Sequence, residues 1–131
     1  MNDQELFDEV VTHVLKQGEQ AAEEGSCVYL TANGLSCAVG GPLVARNLYT
    51  PDIYGATVRG LRAGRQADCY VAFEAALDAW GVCSSQWLLL QKLQQAHDKA
   101  GHNNLPPFIE DFRIRATNIA AEHKLNTKVL E

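Results

Sequence analysis

Two adjacent rows of apolar side chains at helical spacing, Leu6, Val10, Val14 and Phe7, Val11, Leu15, run through the first segment of the chain. Gln4, Asp8, Glu9, Thr12, His13, Lys16 and Gln17 fill the opposite side. A stripe of that width has to lie on a core, which the rest of the chain must supply. The spacing predicts a helix from Asp3 to about Ala22. Asn2 or Asp3 is placed to cap it, and Asp3, Glu5 and Asp8 sit near the positive end of its dipole.

Three later segments carry the same period. Val71, Ala72, Ala75, Ala76, Ala79 and Trp80 predict a helix over 67–80, with Gly81 as its C′ residue. Ser84 or Ser85 is placed to cap the next, whose dense run Trp87, Leu88, Leu89, Leu90, Leu93 and Ala96 is expected at the centre of the core. Pro106-Pro107 opens the last, with the stripe Phe108, Phe112, Ala116, Ile119, Ala120 and His123. Residues 124–131 read as a polar terminus that frays.

Between the first and second of these helices the reading changes. The stretch from Cys27 to Val39 has short β-prone segments around Asn33-Gly34, a pair suited to a type I′ turn, and is expected to form an antiparallel β-hairpin packed on the first helix. A two-residue turn faces Leu30 to Cys37 and puts Cys27 and Cys37 on opposite sheet faces, whereas a three-residue loop puts both on one face. Both registers stay open. Pro42 suits the first turn of a short helix through Leu48. The segment 53–65, with Gly55, Gly60 and Gly64, reads as irregular or weakly helical and as the mobile loop of the chain. The expected class is therefore α+β and mainly α-helical: four to five helices packed with one small antiparallel β-hairpin, in a single globular domain over 1–131.

Size and charge narrow the function classes. A chain of 131 residues with 47% hydrophobic residues buries enough surface to fold without disulfides or metal. Eleven Lys and Arg against 16 Asp and Glu leave a net charge of -5, which disfavours broad binding to nucleic acid or anionic lipid. The N-terminus is acidic and polar, and no apolar run approaches the roughly 20 residues of a membrane span, so a cytoplasmic location and no membrane partner are expected. Cys27, Cys37, Cys69 and Cys83 form no Cys-x-x-Cys pair and read as buried small hydrophobes.

Several constellations carry the residue types for chemistry. Cys37 just ahead of the Gly-Gly-Pro turn, His97 as base and Asp98 as orienter would make a nucleophilic thiol site. His97 follows Leu93 by four positions, which equally suits a hydrogen-bonded core histidine. A metal site could draw on Cys27, Cys37, Cys83, His97 and His102, but only the two histidines are close in sequence, so no metal or other cofactor is expected. Gly40-Gly41 ahead of a helix, backed by Arg46 or by Arg59, Arg62 and Arg65, is a weak phosphate cradle, and a tight turn is the plainer reading. Arg59, Arg62 and Arg65 are either a solvated surface or a docking contact for an acidic partner, and Trp80 or Trp87 could be an interface anchor.

Three patches in combination, Leu6-Phe7 with Val10, His13 and Gln17; Cys27-x-Tyr29 with Gly34 and Cys37-Ala38-Val39-Gly40; and Leu93-Gln94 with Ala96-His97-Asp98, resemble a family of small bacteriophage and prophage proteins. The resemblance implies a context, not a reaction: small acidic phage proteins often act by stoichiometric binding to a host machine, including inhibitors of bacterial immunity such as anti-CRISPR proteins. The leading expectation is a non-enzymatic protein that binds a host or phage protein in the host cytoplasm, through Asp8 and Glu9 of the first helix or through Arg59, Arg62 and Arg65. The alternatives are a small cysteine-dependent enzyme using Cys37 and His97, and a homodimeric structural protein built on the hairpin edge.

Overall fold

The computed structural model describes residues 1–23, 26–27, 30–31, 34–102 and 106–131. Six α-helices carry it: α1 (Asp3–Gln17), α2 (Gly40–Ala45), α3 (Val58–Arg62), α4 (Asp68–Trp80), α5 (Trp87–Lys99) and α6 (Phe108–His123). The α+β expectation of four to five helices and a hairpin is thereby corrected to a helical protein.

The expected hairpin is absent among the described residues, and Asn33 lies outside them. Extended pairing is limited to a two-residue ladder between β1 (Ala22–Glu23) and β2 (Ser26–Cys27) and one bridge between Leu30 and Ser36, too short to make a layer. The bridge pairs Leu30 with Ser36 rather than Cys37, and the Thr31 N–H donates to the Leu35 carbonyl, leaving three residues between those arms. The second arm is stopped by competition for its backbone. Gln17 takes the Ser36 N–H on its Oε1 (2.9 Å) and donates to the Ser36 carbonyl (2.8 Å), and the Cys37 carbonyl accepts from the Gly41 amide, so the chain turns helical directly after Ser36.

Helix α1 begins in a full capping box. Asn2 Oδ1 accepts the Glu5 N–H at 2.8 Å while Glu5 Oε1 accepts the Asn2 N–H at 2.9 Å. It ends earlier than expected, because Gly18 adopts φ +76° and closes it at Gln17. Its buried face of Leu6, Phe7, Val10, Val11 and Val14 lies against α5, whose Leu89, Leu90 and Leu93 are also buried. Helix α6 adds Phe112, Ala116 and Ala120 to that core, and α4 adds Phe73, Leu77 and Trp80. Burial of these side chains is the main term holding the helices together.

Four further readings change or sharpen. The segment 53–65 contains α3, capped by Thr57 Oγ1 on the Gly60 N–H and anchored by buried Ile53, Ala56, Val58 and Leu61. A Cβ on Gly60 would overlap the Tyr70 hydroxyl, so this glycine serves the close approach of α3 to α4. Helix α5 is preceded by a 3-10 turn, Ser84–Gln86, with Cys83 rather than either serine at its cap. Residues 124–131 do not splay: a further 3-10 turn, Lys128–Leu130, packs near α1, Gln4 exchanges two hydrogen bonds with the Asn126 backbone, and Arg113 donates to the Leu130 carbonyl.

Candidate functional site

Polar side chains of α1 and α5 and the backbone of the 36–41 segment meet at one junction. From α1, His13 Nε2 donates to the Ser36 carbonyl at 3.0 Å, beside the Gln17 bonds to the same residue. The imidazole lies so close to Gly41 that a Cβ there would overlap it. From α5, Gln94 Oε1 accepts the Val39 N–H at 3.1 Å and its Nε2 donates to Asp98 Oδ1 at 2.6 Å. Gln20, just past α1, donates to the His97 and Asp98 carbonyls at the end of α5, both at 2.8 Å.

His97 is fully buried at the centre of this arrangement. Its Nε2 accepts the Ala21 N–H at 3.2 Å, so that nitrogen carries no proton and Nδ1–H is the donor to Asp98 Oδ1 at 2.9 Å. Phe108 meets the ring edge-on, with centroids 5.7 Å apart. The ring therefore tethers the post-α1 backbone to α5, with the Asp98 carboxylate fixing the tautomer.

Cys37 is brought to the same junction, since Val39, which Gln94 holds, lies two residues further on. Its side chain is buried, and Sγ accepts the Gly40 N–H at 3.2 Å. A general base needs a free lone pair, and the only one His97 has in this tautomer is spent on Ala21. His97 and Asp98 are thus joined directly and Cys37 lies two residues from the Gln94-bound Val39, while both ring nitrogens of His97 are taken by structural hydrogen bonds. The Gly40-Gly41 cradle is likewise occupied: both amides bond to Cys37, Gly40, Gly41 and Pro42 are buried, and α2 is one short helix.

The other cysteines differ from the expectation of uniform burial. Cys69 is half-buried and Cys83 is exposed, both as free thiols, while the Cys27 side chain lies outside what is described. Among the described residues no group of three or more His, Cys, Asp or Glu is arranged to hold a metal ion.

The surface candidates separate into engaged and free groups. Glu9 gives both carboxylate oxygens to Arg46, with Oε1 to Nη2 at 2.6 Å, and also accepts from Trp80 Nε1 at 3.3 Å. The Arg46 guanidinium stands 5.5 Å from the Trp80 ring centroid, so α1, α2 and α4 are joined by one ion pair and one stacked ring. Trp80 is buried and Trp87 half-buried, which makes both core side chains rather than anchors. Asp8 accepts from Gln4 Nε2 at 2.8 Å. Arg62 donates to Gln91 Oε1 at 2.6 Å, whereas Arg59 and Arg65 are exposed and their guanidiniums form no hydrogen bond or ion pair with the described residues. The same stretch exposes Tyr54 to 70% and Val71 to 65%.

Glutamines tether the fold in a way the sequence does not reveal, although Gln17 and Gln94 stand in the patches that carry the resemblance. Gln17, Gln20 and Gln94 build the junction, and buried Gln86 donates to the Met1 carbonyl and Asp3 Oδ1. Each sits on the polar side of a periodic segment, where a tether and a solvated amide have the same sequence signature. No helix is long and apolar enough to cross a membrane among the described residues. Comparison with protein-family models, with curated proteins and with solved structures finds no match for this chain.

Proposed function

We propose that this chain is a non-catalytic interaction protein of phage or prophage type, which docks an acidic surface of a host or phage protein through α3 and its flanks. The observation that carries this reading is the pair of exposed guanidiniums, Arg59 and Arg65, without partners among the described residues, next to exposed Tyr54 and Val71. A chain of net charge -5 that concentrates three arginines in seven positions offers an acidic partner a local, oriented contact. Arginine and tyrosine are also the side chains most often found to dominate interface energy. The acidic alternative on α1 is weaker, because Glu9 is committed to Arg46 and Asp8 to Gln4. Counter-defence inhibition of the anti-CRISPR kind is the activity this mode of binding would serve. The cysteine-enzyme reading loses ground to the occupied His97 Nε2 and the buried Cys37.

The test is affinity capture by tagged protein, with cross-linking to locate the contact. Wild type and Cys37→Ala are expected to retain one stoichiometric partner cross-linked at 54–71, and Arg59→Glu/Arg65→Glu is expected to lose it. Retention by the charge-reversed variant, loss by Cys37→Ala with its fold intact, or an empty eluate overturns the reading.

A further inference from the structure

Helices α5 and α6 pack antiparallel, and the groove between them pairs their faces rung by rung. Lys92 meets Glu122 at 2.5 Å, and Ala96 and Ile119 form a buried floor one turn on. One further turn along, Lys99 of α5 and Arg115 of α6 line the same groove, with Gln95 and Asn118 between the rungs. The first rung is neutralised by Glu122, and His123 adds a 3.4 Å contact to the Lys92 ammonium. The last rung holds two cations. Asp111 takes Arg115 Nε at 3.1 Å and spends its other oxygen on the Gly101 N–H. The Lys99 ammonium and the Gln95 and Asn118 amides form no hydrogen bond with the described residues, nor do the Arg115 Nη groups.

We infer that this groove is a binding site for a phosphate group carried by a small molecule. Asp111 engages only the Nε edge of Arg115 and the Lys99 ammonium has no hydrogen bond with the described residues, so an oxyanion in the groove gives each cation a charge-assisted hydrogen bond. Lys99 contributes three donors, the free edge of Arg115 more, and the two amides complete the set, which exceeds what a carboxylate accepts and suits the three terminal oxygens of a phosphate monoester. The groove is open to solvent on one side, so the remainder of the ligand extends along Gln95 and Asn118. A long polyanion is disfavoured, because Glu122, Asp111 and the net charge of -5 surround the two cations. This site is separate from the α3 surface and stands whether or not that surface docks a partner.

An amide-resolved NMR titration of the whole protein with inorganic phosphate, at ionic strength held constant with chloride, tests the assignment. Saturable shifts are expected at the amides of 95–99 and 115–119. Lys99→Gln is expected to weaken the apparent affinity about tenfold, the effect of losing one charged hydrogen bond, with the rest of the spectrum unchanged. Arg115→Gln also releases Asp111, so Lys99→Gln is the deciding variant. Shifts that never saturate, or a Lys99→Gln protein that titrates like wild type, overturn the site. A single-stranded oligonucleotide that moves the same amides at lower concentration than phosphate overturns the small-molecule ligand.

Discussion

Replacing Gly41 by alanine is expected to destabilise the wild-type protein and to stabilise a variant that lacks the His13 ring. Gly41 lies inside α2 with no positive φ, so on backbone grounds alone alanine gains about 1 kcal/mol of helix propensity. Against that gain, the new methyl overlaps the His13 imidazole. The half-buried ring has to swing away, which sacrifices its bond to the Ser36 carbonyl, worth about 1 kcal/mol, and adds about 1–2 kcal/mol of overpacking. The net loss is about 1–2 kcal/mol. In a His13→Ala background the opposing terms vanish and Gly41→Ala is expected to add up to about 1 kcal/mol of stability. Urea unfolding of the four proteins, with equal m-values, reads both signs. Equal destabilisation in the two backgrounds would refute close packing of α1 on α2 at this point.

Three other outcomes follow from the junction and its surroundings. His97→Phe leaves the buried Ala21 N–H unpaired and removes the Asp98 contact, so it is expected to cost about 2–4 kcal/mol in urea unfolding; a loss below about 0.5 kcal/mol contradicts the tether. Asp111 is held below the usual carboxylate range, chiefly by the Gly101 N–H; burial, the next effect, opposes this, and Arg115 adds to the lowering. Its folded-state pKa is the lower one, so its stabilisation is present above the unfolded value and disappears as pH falls through the folded value. Wild type is therefore expected to be more stable than Asp111→Asn at pH 7, with the gap closing under acid; a pH-independent gap contradicts this. With an aromatic disulfide reagent, Cys83 is expected to react in the folded protein and Cys37 only at the rate of unfolding; fast modification of Cys37 mapped by peptide analysis contradicts its burial.

Much of the helical skeleton was legible. The stripes of α1, α4, α5 and α6 are long enough for their period to be unambiguous, and Asn2 and Gly81 act as the caps their residue types indicate. The 27–39 stretch was misread because Asn-Gly and β-prone residues are a local signal, whereas Gln17, His13 and Gln94 reach it from positions 19 to 55 residues away and take its backbone groups. The same limit hid α3, whose five residues are too few to show a period and whose helicity rests on Thr57 and on packing against Tyr70. Residue type alone could not say that Ala21 would occupy His97 Nε2 or that Asp98 would take its Nδ1–H.

What the sequence by itself determined is therefore periodic: which segments are helices, which faces go inward and where glycine can end a helix. Those properties depend on neighbours three and four residues apart, which the linear order contains. Tertiary structure alone decided the rest: that backbone amides at 36 and 39 bond to helix side chains, that Glu9 belongs to Arg46, and that Lys99 and Arg115 line one groove. Each of these depends on two distant segments arriving at one place, and a polar side chain's partner is chosen by that arrival.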